Sequence, residues 1–464
     1  MAFPTQLQIN AWTGDGVTGN VASIEIRARS KLLSREPKPI ALKKLAPPDI
    51  SPINWQDENI GWGIILPDRA ELSASQKANA EDAPEAVRAL LETRGHAPVL
   101  RYNPAGPLGS LTRYYGDGQW QQVAISALNY GIGRGRIPRY LLILGSPSQI
   151  PWSVQYELQT GYFVGRLDLE GEALENYIAA LANNWAASGP IVANTTIWAV
   201  DHGSHDITHL MRNAVALPIH NEFLKDEDPA FKDGTQLLID DQATAQTLIS
   251  ALANRRPSLV VTSSHGATGP LSDIDQMRLQ LGLMVDRNHT MLDVAGLLAD
   301  WTPSGAIWFG QACCSAGSAA QTSYAGLVPT DSAVGRILEG VARCGSMTAP
   351  LPRALLGAKE PLRAFVGHVE PTFDWTLRHP DTKQFLTRPL INAFYNELFR
   401  GKPVGLALGQ CRVAASSLNE SYRLAADALA NGEDRDGEVF ALELMSKDWR
   451  SLVLLGDPTC RLIG

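Results

Sequence analysis

Apolar residues along the chain fall into short continuous runs, separated by stretches in which they recur every three or four positions. Between Arg139 and Gly145 every residue is apolar or aromatic (Tyr-Leu-Leu-Ile-Leu), the pattern of a strand buried on both faces. Residues 62–66, 162–169, 196–201, 236–240, 258–263, 306–309, 363–369 and 451–455 read as further strands. Helical spacing predicts helices over 76–93, 120–130, 170–188, 205–217, 243–253, 290–301, 389–399 and 404–431. Strand and helix alternate, which implies parallel sheets with helices on both faces. Two short strands, 7–13 and 21–29, precede this pattern. We therefore expect three parts: an extension over 1–58, an α/β unit over 59–190 and a second, chemistry-bearing α/β unit over 191–464. The fold class expected is α/β, with two parallel-sheet subdomains side by side.

Composition narrows the functional classes. Of the 464 residues, 45% are hydrophobic and 19% charged, enough to bury a large core. The net charge of −8 argues against nucleic acid as the primary ligand. No run reaches the length and apolarity of a membrane span, and the opening residues lack the pattern of a secretory signal. Five scattered cysteines do not make a disulfide framework. A cytoplasmic setting is expected, with no membrane partner. The basic, Pro-containing stretch from Arg27 to Lys44 reads as a solvated linker and edge rather than a docking arm.

In open parallel sheets, ligands bind beyond the carboxyl ends of the strands. Three such ends carry chemistry here: Asp201-His202-Gly203, Ser263-Ser264-His265-Gly266 and Gln311-Ala312-Cys313-Cys314. His265 and Cys313 leave strands expected to be neighbours. A positioned imidazole can activate a thiol that is mostly protonated at neutral pH. The backbone N–H groups of Gly266 and Cys313 are candidates for an oxyanion site. Ser264 and Gln311 flank them as substrate-facing positions. Asp201 ends the first strand and is a candidate wall of the pocket for a basic substrate side chain; its competing role is a helix cap. Alternation along a strand predicts that only one of Cys313 and Cys314 faces the crevice. His202, His205 and His209 have a spacing compatible with metal, but capping and solvent exposure are the simpler expectation. We expect no metal and no organic cofactor.

The strand followed by His265-Gly266, and the strand followed by Gln311-Ala312-Cys313 with the histidine 48 residues upstream, resemble the caspase and gingipain superfamily of cysteine peptidases, including its CHAT-type members. The segments 351–367, 394–408 and 454–459 resemble the elements that follow the nucleophile in that superfamily, and 142–167 resembles the front half of the gingipain branch. The resemblance implies caspase/gingipain-like subdomains and a cysteine endopeptidase. His265 would be its general base and then acid, and Cys313 its nucleophile, working through a thioester acyl-enzyme. It also implies a protein substrate, in some members a gasdermin-like pore former cut in self-killing or antiphage defence. A peptidase framework without turnover, acting as a scaffold, and a thiol acyl transferase are the other classes open.

Overall fold

The computed structural model describes residues 6–14, 19–23, 51–186 and 189–462. The basic stretch from Arg27 to Lys44 lies outside the described residues. The strands run in chain order β1 (Gln6–Asn10), β2 (Gly19–Ser23), β3 (Trp62–Pro67), β4 (Val99–Tyr102), β5 (Ser110–Tyr114), β6 (Trp120–Ala124), β7 (Tyr140–Leu144), β8 (Phe163–Leu167), β9 (Ile191–Ala199) and β10 (Thr235–Leu238). They continue with β11 (Pro257–Ser263), β12 (His265–Gly266), β13 (Met284–Val285), β14 (Ile307–Gln311), β15 (Gly317–Ser318), β16 (Met347–Thr348), β17 (Ala364–His368), β18 (Thr372–Phe373) and β19 (Leu452–Gly456).

Twelve of them form one mixed sheet in the order β10-β9-β11-β14-β17-β19-β8-β7-β3-β4-β5-β6. From β10 to β17 every pairing is parallel. β19 enters antiparallel to β17 and parallel to β8, and β8, β7, β3 and β4 continue parallel. The sequence pattern predicts two sheets side by side; the chain instead joins both sets of strands through β19. The expected boundary near residue 190 falls between strands of this one sheet.

The continuous apolar runs behave as their pattern predicts. Along β7, Tyr140, Leu142 and Leu144 pack into the main core while Leu141 and Ile143 pack into a second core on the opposite face. Both faces are covered, so no position can be polar. Two expectations fail. The stretch 120–130 is not a helix but edge strand β6 followed by a short 3₁₀ turn, Ile125–Ala127. Its apolar residues have helical spacing, yet pairing with β5 decides the structure and leaves Trp120 exposed. The helix expected over 76–93 is two, Ala74–Ala78 and Glu85–Thr93, separated by the left-handed Ala80 and by Pro84 at the second N-terminus. No helix among the described residues is long and apolar enough to cross a membrane.

The turn after β19 locks the two halves of the sheet together. Asp457 is fully buried, and its carboxylate accepts hydrogen bonds from Trp62 Nε1 at 2.8 Å, the Thr459 N–H at 2.8 Å and Arg94 at 3.4 Å. Tyr177 accepts from the Asp457 N–H. Asp457→Ala would strand a buried indole N–H and a guanidinium. It is expected to cost about 3 kcal/mol of stability, read as a lower urea midpoint with an unchanged slope.

Candidate active site

β11 and β14 are neighbours, and their register pairs Ser263 with Gln311. His265 and Cys313 therefore each lie two residues beyond the same rung of the sheet, at its carboxyl edge. After that rung the two chains diverge. Ser264 donates its backbone N–H to the Gln311 carbonyl at 3.2 Å and its hydroxyl to the His265 carbonyl at 2.9 Å. His265 and Gly266 form β12, antiparallel to Met284–Val285. Gly266 packs directly on the Cys313 backbone: a side chain there would overlap the Cys313 carbonyl, and its Cβ would stand 3.0 Å from the Cys313 amide nitrogen. Only glycine permits that approach.

His265 is fully buried. Its Nε2 lies 2.9 and 3.0 Å from the two carboxylate oxygens of Asp206. Asp206 is held in turn as the N-cap of the helix Ile207–Met211, accepting from the Thr208 N–H at 2.8 Å and the Thr208 hydroxyl at 2.6 Å. A carboxylate on Nε2 makes that nitrogen the donor, so the neutral ring carries its lone pair on Nδ1. His265 Nδ1 has no hydrogen-bond partner. Three further rings extend from His265 in a column. His202 stacks on His265 at 5.6 Å, His289 on His202 at 4.4 Å and Trp12 on His289 at 4.7 Å between centroids. Burial, followed by the neighbouring His265 and His289, pushes the His202 imidazole down to about 4. The column is thus uncharged at His202 near neutral pH.

Cys313 is also fully buried. Its sulfur accepts the Thr372 N–H at 3.2 Å and makes no hydrogen bond to His265. Burial raises the thiol above its usual range, against the smaller opposing effect of the Thr372 N–H. The alternation argument for Cys314 does not apply, because β14 ends at Gln311 and the chain turns. Cys314 has a left-handed φ of 53° and donates its N–H to the Glu370 carbonyl at 3.0 Å. Both cysteines are buried, Cys314 as completely as Cys313.

The other candidate residues are placed as follows. Asp201 accepts from His209 at 2.9 Å, Arg212 at 3.3 Å and the Gly203 N–H at 2.8 Å. Burial opposes its charge, but the His209 and Gly203 hydrogen bonds prevail and hold the carboxyl below its ordinary range. His202, His205 and His209 do not converge, and no group of three or more His, Cys, Asp or Glu side chains among the described residues is arranged to hold a metal. Gln311 and Ser264 are buried at the strand ends.

Two residues at the site carried no clear signal in the sequence. Asp206 reads there as one acid among histidines or as a cap, and its second role needs the fold. Asp448 lies on the helix Asp436–Ser451, which the periodicity did not predict. It accepts the Phe373 N–H at 2.9 Å and, with Gln311 and His368, lines a cavity of about 10 Å³, room for one water at most. Burial raises its carboxyl to about 7, partly offset by the Phe373 and Thr376 hydrogen bonds, and lowers the His368 imidazole to about 3. The folded state thus keeps a proton on Asp448 that the unfolded chain releases from about pH 4 upward, so this group lowers stability as pH rises from about 4 to 7. Asp448→Asn is expected to raise Tm at pH 8 and to leave it nearly unchanged at pH 4, measured by paired thermal melts.

No family model and no curated protein matches the chain. A solved structure described as "Structure of Protease" is similar to it, with a TM-score of 0.46 and 11% sequence identity, over 87% of this chain and 79% of that one. This is a weak likeness to a protease fold.

Proposed function

We propose that this chain is a cysteine endopeptidase that cuts a protein substrate. The observation that carries the reading is the register: a histidine backed by a carboxylate and a cysteine leave adjacent parallel strands two residues beyond the same rung. In this reading His265 Nδ1 takes the thiol proton as the Cys313 sulfur bonds to the scissile carbonyl carbon. The Gly266 and Cys313 N–H groups stabilise the oxyanion, for which the close approach of the two backbones is suited. His265 returns the proton to the departing amine, leaving a thioester. Water, deprotonated by the same ring, then releases the acid and the free thiol. Asp206 orients the imidazole and stabilises its charged form. Gln311 and Ser264 border the substrate, with Asp201 further out on the same edge.

A second reading, a binding protein on the same framework, draws support from the complete burial of Cys313 and the missing hydrogen bond to His265. Incubating the protein for hours with a diverse peptide library, and reading products by mass spectrometry, separates the two. Hydrolysed peptides that disappear with both Cys313→Ala and His265→Ala support the peptidase. Peptides retained intact identify a binding protein, and peptide-to-amine transfer products identify an acyl transferase.

A further inference from the structure

Residues 6–13 run across the candidate site. β1 pairs antiparallel with β18, Ile9 opposite Phe373 and Asn10 opposite Thr372. Thr372 is the residue whose N–H rests on the Cys313 sulfur. The segment then crosses to the histidine side. The Trp12 N–H donates to the Gly266 carbonyl at 3.3 Å, and the Thr268 N–H donates to the Trp12 carbonyl at 2.7 Å. Gly269 must be glycine there, because a side chain would overlap the Thr13 carbonyl. One extended segment, the middle strand between β18 and β2, is thus held by backbone hydrogen bonds on the cysteine side and on the histidine side.

Its side chains alternate between two environments. Leu7, Ile9 and Ala11 are fully buried in the apolar cluster that contains Cys313, Tyr324 and Phe373. Gln8 and Trp12 face the other way, Gln8 Nε2 donating to the His205 carbonyl at 2.9 Å and Trp12 capping the histidine column. Asn10 shares that second face. It is fully buried, and neither its side-chain oxygen nor its nitrogen has a hydrogen-bond partner. An amide left so is costly, and native interiors seldom tolerate one without a reason. It stands opposite Thr372, two residues before the Gly266 attachment, and His265 Nδ1 and Gln311 Oε1 of the site are likewise buried without partners.

We infer that the cleft between Thr372–Phe373 and Gly266–Thr268 is a groove for an extended polypeptide with apolar residues at alternate positions, and that residues 6–13 are its resident occupant. Backbone pairing holds the peptide and alternate side chains fill the apolar side, the mode of strand addition to an exposed edge. The purpose of the groove, presenting a peptide bond to Cys313, rests on the peptidase reading; its existence does not. While the segment is seated, Cys313 is sealed from solvent and an incoming chain must displace it.

The test uses the full chain. In Leu7→Asp/Ile9→Asp the occupant loses its apolar anchors, and alkylation of Cys313 by iodoacetamide, read by peptide mass mapping, is expected to quicken by about a hundredfold or more. Hydrogen exchange should show the Thr268 amide losing protection while β11 and β14 keep theirs. A synthetic peptide carrying the sequence of residues 6–13 should slow the alkylation again, and the same peptide with aspartate at both anchors should not. Unchanged alkylation, no effect of the peptide, or loss of protection throughout β11 and β14 would overturn the inference, the last because the segment would then be an integral part of the fold. A measurement on the unmodified chain stands beside these. The Trp12 and Thr268 amides should exchange much faster than those of β11, and equal rates would overturn the groove. An opened groove with no peptide cleavage by either form sinks the peptidase reading alone. Active enzyme with unchanged alkylation sinks the groove alone.

Discussion

Cys313→Ala is expected to abolish peptide-bond cleavage, lowering kcat by about 10⁴-fold or more, because in the proposed reaction its sulfur forms the acyl-enzyme. The fold should survive. The substitution removes one buried sulfur that accepts the Thr372 N–H, a loss on the order of 1–2 kcal/mol. Cys314→Ala should retain most of the activity. Its thiol packs in the interior beyond the turn, and its fixed element is the backbone N–H to Glu370, which alanine keeps. Steady-state kinetics and thermal melts on the two purified variants decide the matter. An active Cys313→Ala beside a dead Cys314→Ala would place the nucleophile one residue later.

Asp206→Asn should be nearly as damaging to turnover and far gentler to the fold. Asparagine is as good an N-cap as aspartate, and its oxygen can still accept from the Thr208 N–H. Its amide group would then face His265 Nε2 as a donor. With the amide nitrogen in place of the oxygen 3.0 Å from Nε2, the ring is drawn toward the tautomer with its lone pair on Nε2 and its proton on Nδ1, which cannot take a proton from the thiol, and the charge that stabilises the imidazolium is gone. A loss of roughly 10³-fold or more in kcat is expected from this change of tautomer. KM and Tm should move little. Asp206→Ala, by contrast, should also lose the cap and leave buried donors unpaired, costing about 2 kcal/mol. A Tm drop in Asp206→Asn as large as that in Asp206→Ala, with kcat unchanged, would reduce Asp206 to a structural residue.

The sequence pattern read the interior of the sheet well and its margins poorly. β7, β9, β11, β14, β17 and β19 are strands whose apolar runs leave helix and loop no advantage, and all were legible. β4, β5 and β6 form the far edge, where the runs are short and interrupted by polar residues, and the outermost strand, β6, buries only Val123. Such strands are decided by their neighbours, so residues 120–124 could imitate a helix. The joining of the two sets of strands was illegible for a related reason. Nothing in Leu452–Gly456 says which edges it will meet, since any buried strand reads alike. His265, Gly266 and Cys313 were legible because their residue types follow strand ends at a telling spacing. Asp206 was not, because its carboxylate serves His265 and also Thr208, and the contact with Thr208, near in sequence, gives it an ordinary explanation.

The position of β19 has a consequence for how the molecule is made. Every other strand of the twelve-stranded sheet precedes it in the chain, yet it occupies the seam between β17 and β8. Until it inserts, two half-sheets exist, each with a raw, apolar edge at its centre. The slot belongs to a strand that runs antiparallel to one edge and parallel to the other, so direct pairing of β17 with β8 would be a non-native closure. Closure therefore waits on contacts distant in sequence, which makes folding slow and leaves sticky intermediates along the way. The same arrangement ties the site to completion of the fold. The helix that delivers Asp448 leads directly into β19, so the cysteine side of the site is finished only as the seam closes. A half-made chain is thereby denied a finished site.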